Sequence, residues 1–262
     1  MPKPPLPNIK IISPLSELDF IGKGYYDFAD ESHFWMKWRF LAFIKQLKRN
    51  QIPLETYLKG FEIGCGHGVF RKQIEGNSNW AIDGADLDLN SLKSNPAGKG
   101  DLYLYNIFEK QKSFENKYDF VCLFDVIEHI EQDQQFLEAA AFHLKKGGLL
   151  FINVPALPAL FSNYDTYMGH QRRYTKESLK DVLERSRLDV LDIQYWGLSL
   201  IPILFLRKAI LKSCKDPQQS VQKGFAPPNP LVNQLLVCLM HVENFLTARP
   251  FLGTSLLAIA RK

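Results

Sequence analysis

The sequence has 262 residues, 46% of them hydrophobic and 23% charged, enough apolar material for one substantial core or one core with a small appended element. Its 32 Lys and Arg against 28 Asp and Glu leave a formal charge of +4, far short of the basic excess that nucleic-acid binding needs, so no nucleic-acid partner is expected. Cys65, Cys122, Cys214 and Cys238 stand apart with no C-x-x-C pair. That pattern suggests neither a zinc site nor a disulfide framework, so no metal and a reducing, cytoplasmic setting are expected.

Residues 1–7 carry four prolines and lead into no long apolar stretch, which reads as a loose arm rather than a secretory signal. Over residues 31–47, Phe34, Trp35, Trp38, Leu41, Ala42 and Ile44 recur at helical spacing and predict an amphipathic helix. Residues 60–64 read as a strand that ends in a glycine turn, and 69–75 as the helix the turn opens. Further strands are expected at 80–86, 102–105 and 118–124, the last apolar enough to be buried on both faces. A helix over 132–144, closed by Lys145-Lys146-Gly147-Gly148, precedes a strand at 149–154. Such alternation predicts an open, mostly parallel, doubly wound α/β sheet that binds its ligand at the C-terminal ends of the strands.

Beyond residue 154 the pattern changes to a loop over 155–174, a helix over 176–186, a strand at 190–195 and a last strand at 255–260. Between those strands lies an insertion of about fifty residues, long enough to suggest a function of its own. It holds two apolar helical stretches parted by Pro227-Pro228-Asn229-Pro230. The apolar run 198–206 is broken by Pro202 and is too short to cross a bilayer as a helix. It reads as a buried segment or as a helix lying in a membrane interface, because Arg207, Lys208, Lys212 and Lys215 follow it.

Gly64, Gly66 and Gly68 form a G-x-G-x-G turn between strand and helix, where bare main chain can approach a ligand. Val69 fills the position at which a dinucleotide fingerprint needs glycine, and Glu62 puts a carboxylate beside the turn. A negative charge there repels a pyrophosphate and suits a cation such as a sulfonium with a free amino group. Asp86, twenty-two residues after Gly64 at the tip of the second strand, can accept hydrogen bonds from both ribose hydroxyls. Asn106, past the third strand, offers an amide to an adenine edge.

Together with Tyr118-Asp119-Phe120-Val121, the run 124–130 and Leu144-Lys145-Lys146-Gly147-Gly148, these features resemble the class I S-adenosylmethionine-dependent methyltransferases over residues 60–155. The resemblance implies a seven-stranded sheet whose last strand is antiparallel, with S-adenosyl-L-methionine as cofactor and S-adenosyl-L-homocysteine as product. A narrower likeness, to bacterial members of the superfamily, rests on His33-Phe34-Trp35 and Arg39 upstream and on Val154-Pro155-Ala156, Asp165, Gly169-His170 and Arg172-Arg173-Tyr174 downstream.

The expected division is 1–56 as an arm and helix covering the cofactor site, and 57–262 as the methyltransferase domain with a helical insertion at 198–250. The expected cofactor-binding residues are Glu62, Gly64, Cys65, Gly66, Gly68, Asp86, Leu87, Asn106, Phe124 and Asp125. For a hydroxyl or amine acceptor a base must take the proton, and Asp125, His129 and His170 are the residues chosen, with Glu128 and Asp165 as further candidates. Arg172 and Arg173, interleaved with Tyr164, Tyr167 and Tyr174, suit an anionic molecule with an apolar body, so Tyr164, Arg172, Arg173 and Tyr174 are assigned to the acceptor. The expected partner is a small or lipid-linked acceptor, with peripheral contact at the inner membrane face a further expectation. An RNA or protein methyltransferase and a nicotinamide-dependent oxidoreductase are the alternatives.

Overall fold

In the computed structural model, the residues described are 8–13, 31–212, 229–247 and 249–262. The expected arm 1–7, Cys214, Lys215 and Pro227-Pro228 lie outside them. The strands are β1 (Ile9–Ile11), β2 (Lys59–Ile63), β3 (Ala81–Asp86), β4 (Leu102–Leu104), β5 (Tyr118–Phe124), β6 (Leu144–Pro155), β7 (Asp189–Trp196) and β8 (Ser255–Arg261). The helices are α1 (Phe34–Arg49), α2 (Val69–Gly76), α3 (Leu89–Ser94), α4 (Asp133–Phe142), α5 (Asn163–Tyr167), α6 (Lys176–Arg185), α7 (Ile201–Leu211) and α8 (Pro230–Leu246).

The strands form one sheet in the order β1-β4-β3-β2-β5-β6-β8-β7. β1 to β6 pair in parallel, and β8 runs antiparallel between β6 and β7. This is the doubly wound sheet with an antiparallel last strand that the sequence implies, with eight strands rather than seven. The extra strand is β1, three residues whose pairing with β4 packs Ile9 beside Leu102 and Leu104. A strand that short next to a proline-rich stretch has no periodicity to betray it.

The period of two along β5 shows how the layers are built. Val121 and Leu123 face a core that includes Phe136 and Leu137 of α4 and Leu179 and Val182 of α6. Phe120, Cys122 and Phe124 face the opposite one, with Trp38 and Phe43 of α1 and Phe70 and Ile74 of α2. β5 is thus covered on both faces, as its apolar run predicts. One boundary differs: the expected 132–144 helix stops at Phe142, and Lys145-Lys146-Gly147 belong to β6, which pairs Tyr118 with Leu144 before a register shift. Gly147, at φ 77°, carries the chain through that irregularity instead of ending a helix.

Phe61 on β2 is fully buried and stacks on Tyr118 with ring centroids 4.7 Å apart. Phe61→Ala is expected to lower unfolding free energy by about 3–5 kcal/mol, read as a fall in the midpoint of urea denaturation at unchanged slope.

Candidate active site

The turn after β2 is held from beneath. Gly64 and Cys65 both donate their amides to the Ala85 carbonyl of β3, at 2.8 and 3.0 Å. Gly64, Gly66 and Gly68 have φ of 74°, 47° and 73°, the left-handed region where a Cβ is costly. A Cβ on Gly68 would stand 2.2 Å from Oδ1 of Asn95. Asn95 in turn donates to the Gly66 carbonyl at 2.9 Å and accepts from Arg71 at 2.6 Å. Asp86 closes the turn from the other side: Oδ2 accepts from the Gly66 amide at 2.8 Å and Oδ1 from the Asp88 amide at 2.9 Å.

Above the turn lies a cavity of about 480 Å³ at the C-terminal ends of the parallel strands. Its cofactor side is lined by Ile63, Gly64, Asp86, Leu87, Asn106 and Asp125, and His33, Phe34 and Trp35 at the start of α1 reach it as well. Asn106 spends its side-chain oxygen on the Phe108 amide at 3.1 Å while lining the cavity. Glu62 is buried behind the turn, and its Oε2 has no hydrogen-bond partner among the described residues. Burial pushes the Glu62 carboxyl up to about 8, against the pull of Arg39 and Arg71. Two carboxylates at the strand tips and a bare glycine turn fit a ligand that is cationic and adenosyl-like, while Glu62, assigned to the cofactor from sequence, stands behind the turn and outside the cavity lining.

The other side of the cavity collects Glu128, His129, Tyr164, His170, Arg173 and Arg207. Asp165 is fully buried and accepts from the Ser162 amide at 2.9 Å, from His170 Nδ1 at 3.1 Å and from Arg173 Nε at 2.7 Å. Despite its burial, those bonds and the Arg173 charge hold its carboxyl well below the usual carboxylate range. His129 stands edge-on to His170, ring centroids 4.8 Å apart, and burial lowers it to about 3. Glu128 is buried with neither carboxyl oxygen hydrogen-bonded, and burial, reinforced by Asp125, raises it well above the ordinary carboxylate range. Although the sequence suggests no metal, Glu128, His129 and His170 each bring a ligand atom within 4.8 Å of one another, a donor set that could hold a divalent cation.

Residues 35–193 match the family model described as a methyltransferase domain. The chain belongs to this family. A mitochondrial ubiquinone biosynthesis O-methyltransferase of Dictyostelium discoideum is 29% identical, over 44% of this chain and 41% of the relative. A ubiquinone biosynthesis O-methyltransferase of Hydrogenovibrio crunogenus is 28% identical, over 49% of this chain and 51% of the relative. The match thus spans about half or less of these curated relatives' own length. Among solved structures, phosphoethanolamine N-methyltransferase 2 of Haemonchus contortus, in complex with S-adenosyl-L-methionine, superposes with a TM-score of 0.55 at 17% identity, over 86% of this chain and 52% of that one. That likeness speaks for the fold. The nicotinamide-dependent alternative is set aside, and the fold is one shared with that S-adenosyl-L-methionine complex.

In this methyltransferase several assigned residues lie apart from the cavity. Phe124 points to the other face of β5, where its ring packs edge-on against Phe70 and Phe43, because it shares the parity of Phe120 and Cys122. Arg172 turns outward to Asp133 at 2.7 Å and to the Glu131 carbonyl. Tyr174 is buried, with its hydroxyl donating to the same Asp133 at 3.0 Å. These two tie the loop to α4 and do not line the cavity. Cys65, Gly66 and Gly68 shape the turn without lining the cavity; the Cys65 side chain packs with Leu92 and Leu102 instead. The structure also supplies groups that sequence reading passed over, Asn95 beneath the turn and Asn153 beside Asp125, and it turns Arg207, read from sequence only as a flanking cation, into the cavity.

Asp86→Asn replaces one charged acceptor beneath the turn with a neutral amide. Calorimetric titration with S-adenosyl-L-methionine is expected to show affinity about tenfold or more weaker. Glu62 gives a pH signature. Its folded value of about 8 lies above the unfolded 4.5, so the native state holds the extra proton between them, and stability is lost as pH rises through that window. Glu62→Gln is expected to flatten the fall in Tm between about pH 5 and pH 8, measured as the difference between variant and parent.

Proposed function

We propose that the protein methylates a hydroxyl on a small or lipid-linked acceptor that has an apolar body and an anionic group. The observation that carries this reading is His170, oriented by the buried Asp165 and facing the cavity on whose opposite side the cofactor residues stand. The O-methyltransferase names of the curated relatives point to the same bond type. Bound S-adenosyl-L-methionine supplies a methyl group already activated by its sulfonium, so the protein's task is to position the acceptor, exclude water and take a proton. Asp165 stays ionised and accepts from Nδ1–H of His170, which leaves the Nε2 lone pair for the acceptor O–H. Nε2 would take the proton as the acceptor oxygen is methylated, with S-adenosyl-L-homocysteine as the neutral co-product. His129, lowered to about 3, stays neutral through this step, and burial keeps the Glu128 carboxyl protonated beside it.

In the same reading, α1 and His33 before it cover the cofactor, and α7 and α8 of the insertion wall the acceptor side. Ile203, Leu204 and Leu236 supply the apolar surface there. Arg207 lies over the Tyr164 ring at 4.3 Å and places a positive charge in the wall, which suits an anionic group on the acceptor.

Incubation of a cell extract with methyl-labelled cofactor, followed by separation into lipid, small-molecule, RNA and protein fractions, tests the reading. Label is expected in the small-molecule or lipid fraction, and label confined to RNA or protein would overturn it. On the purified acceptor, His170→Ala is expected to lower kcat by about 100-fold or more with cofactor affinity kept, whereas Arg172→Ala stays near the parent.

A further inference from the structure

α8 carries apolar residues on both its packed and its exposed face. One packs Met240 and Leu236 toward α1 and the cavity. The other carries Leu231, Leu235, Cys238, Val242 and Phe245, spaced by three, four or seven residues, as an exposed stripe along the whole helix. Phe245 is 88% exposed and Leu231 73%. α7 repeats the pattern with Phe205, Leu206 and Ile210 exposed while Leu204 and Arg207 turn to the cavity. Single exposed apolar residues mean nothing, but two helices that present them in rows do.

We infer that this α7–α8 face seats the protein on an anionic lipid bilayer, with the mouth of the acceptor cavity at the membrane surface. Three observations select that occupant. Ile203 both lines the cavity and is 42% exposed, so the apolar surface runs without a break from the outside into the acceptor site. Apart from Arg207, which turns to the cavity, the charged residues of α7 and of the residue after it are the cations Lys208 and Lys212, and the one acid on α8, Glu243, is buried under the Gly197, Leu198 and Ser199 amides. Exposed leucines and phenylalanines beside cations and free of exposed acids match a helix lying among anionic headgroups. Against a second copy of the same face, those cations would meet like charge. Lastly, no helix among the described residues is long and apolar enough to cross a membrane, so α7 and α8 would lie on the bilayer rather than span it.

The inference rests on the proposed function only in its lipid-linked form of acceptor, and its test does not involve transfer. The full-length protein is floated with vesicles of equal parts phosphatidylglycerol and phosphatidylcholine, and with phosphatidylcholine alone, at low salt. Flotation with the anionic vesicles is expected, with clearly less on the neutral ones. The double substitution Leu206→Glu with Leu235→Glu, both outside the cavity, is expected to reduce the floated fraction about tenfold or more while leaving the S-adenosyl-L-methionine titration unchanged. Parent protein that stays with the soluble fraction, or a double variant that floats like the parent, overturns the inference. A parent dimer that does not float, and that the double variant dissolves into monomers, assigns the face to a second copy instead. Failure to label any small-molecule or lipid acceptor would sink the proposed function and leave the flotation result standing.

Discussion

The ion pair between Arg39 of α1 and Asp125 at the tip of β5, 2.6 Å long and largely shut off from solvent, is the contact on which the site's shape depends. Two buried charges justify their desolvation only when their remaining hydrogen-bonding capacity is met. Here Asn153 of β6 donates to the second oxygen of Asp125 at 2.6 Å, and Trp196 of β7 donates to the Asn153 oxygen at 2.9 Å. The Trp196 ring then packs against Trp35 and Trp38 of α1, and the Arg39 guanidinium lies 5.1 Å over Trp35. The chain of contacts returns to the helix it left. It fixes α1 across three strand ends and holds Asp125 at φ 60°, a costly backbone setting for a residue other than glycine. Both carboxylate oxygens of Asp125, at the border of the two halves of the cavity, are thus engaged, one by Arg39 and the other by Asn153.

That circuit also explains what was legible beforehand. The turn, the strand tips and the order of elements follow from local rules, since glycine spacing, apolar periodicity and cap residues act over a few positions. β5 appears with the bounds its apolar run implies, and Asp86 sits where the strand tip puts it. Parity separates success from failure at the next level. Phe124 and Asp125 are neighbours in sequence, but a strand sends alternate side chains to opposite faces, so only the second reaches the cavity. The Arg172-Arg173-Tyr174 run divides for a related reason: Arg173 turns in to Asp165, while Arg172 and Tyr174 turn to Asp133. Asn95 and Asn153 gave no local signal, because each matters through a partner dozens of residues away.

The long insertion is anchored by a contact of the same long-range kind. Glu243 of α8 accepts from the amides of Gly197, Leu198 and Ser199, at 3.1, 3.0 and 2.7 Å, where the chain leaves β7. One carboxylate thereby satisfies the amides that open the short helical turn before α7 and fixes the end of the insertion to its beginning. The Lys45 ammonium also donates to the Asn244 carbonyl, which brings α8 against α1. The walls on the cofactor side and on the acceptor side are in this way parts of one packed unit, and a shift of α8 would be felt at His33, Phe34 and Trp35.

The charge states around the acceptor side explain why so many ionisable groups can share one small space. Asp165 is the single strongly ionised acid among them, and Arg173 balances it at 2.7 Å. Glu128 is driven to its neutral form by burial and by Asp125, and His129 is driven neutral by burial and by His170. Were Glu128 ionised, it would stand as an unpaired buried anion and would compete with Asp165 for His170. Kept neutral, it leaves Asp165 as the one acceptor that orients the His170 ring. In the proposed transfer the positive charge passes from the sulfonium to the His170 ring as it takes the proton, and the ionised Asp165, 3.1 Å away, is placed to balance it.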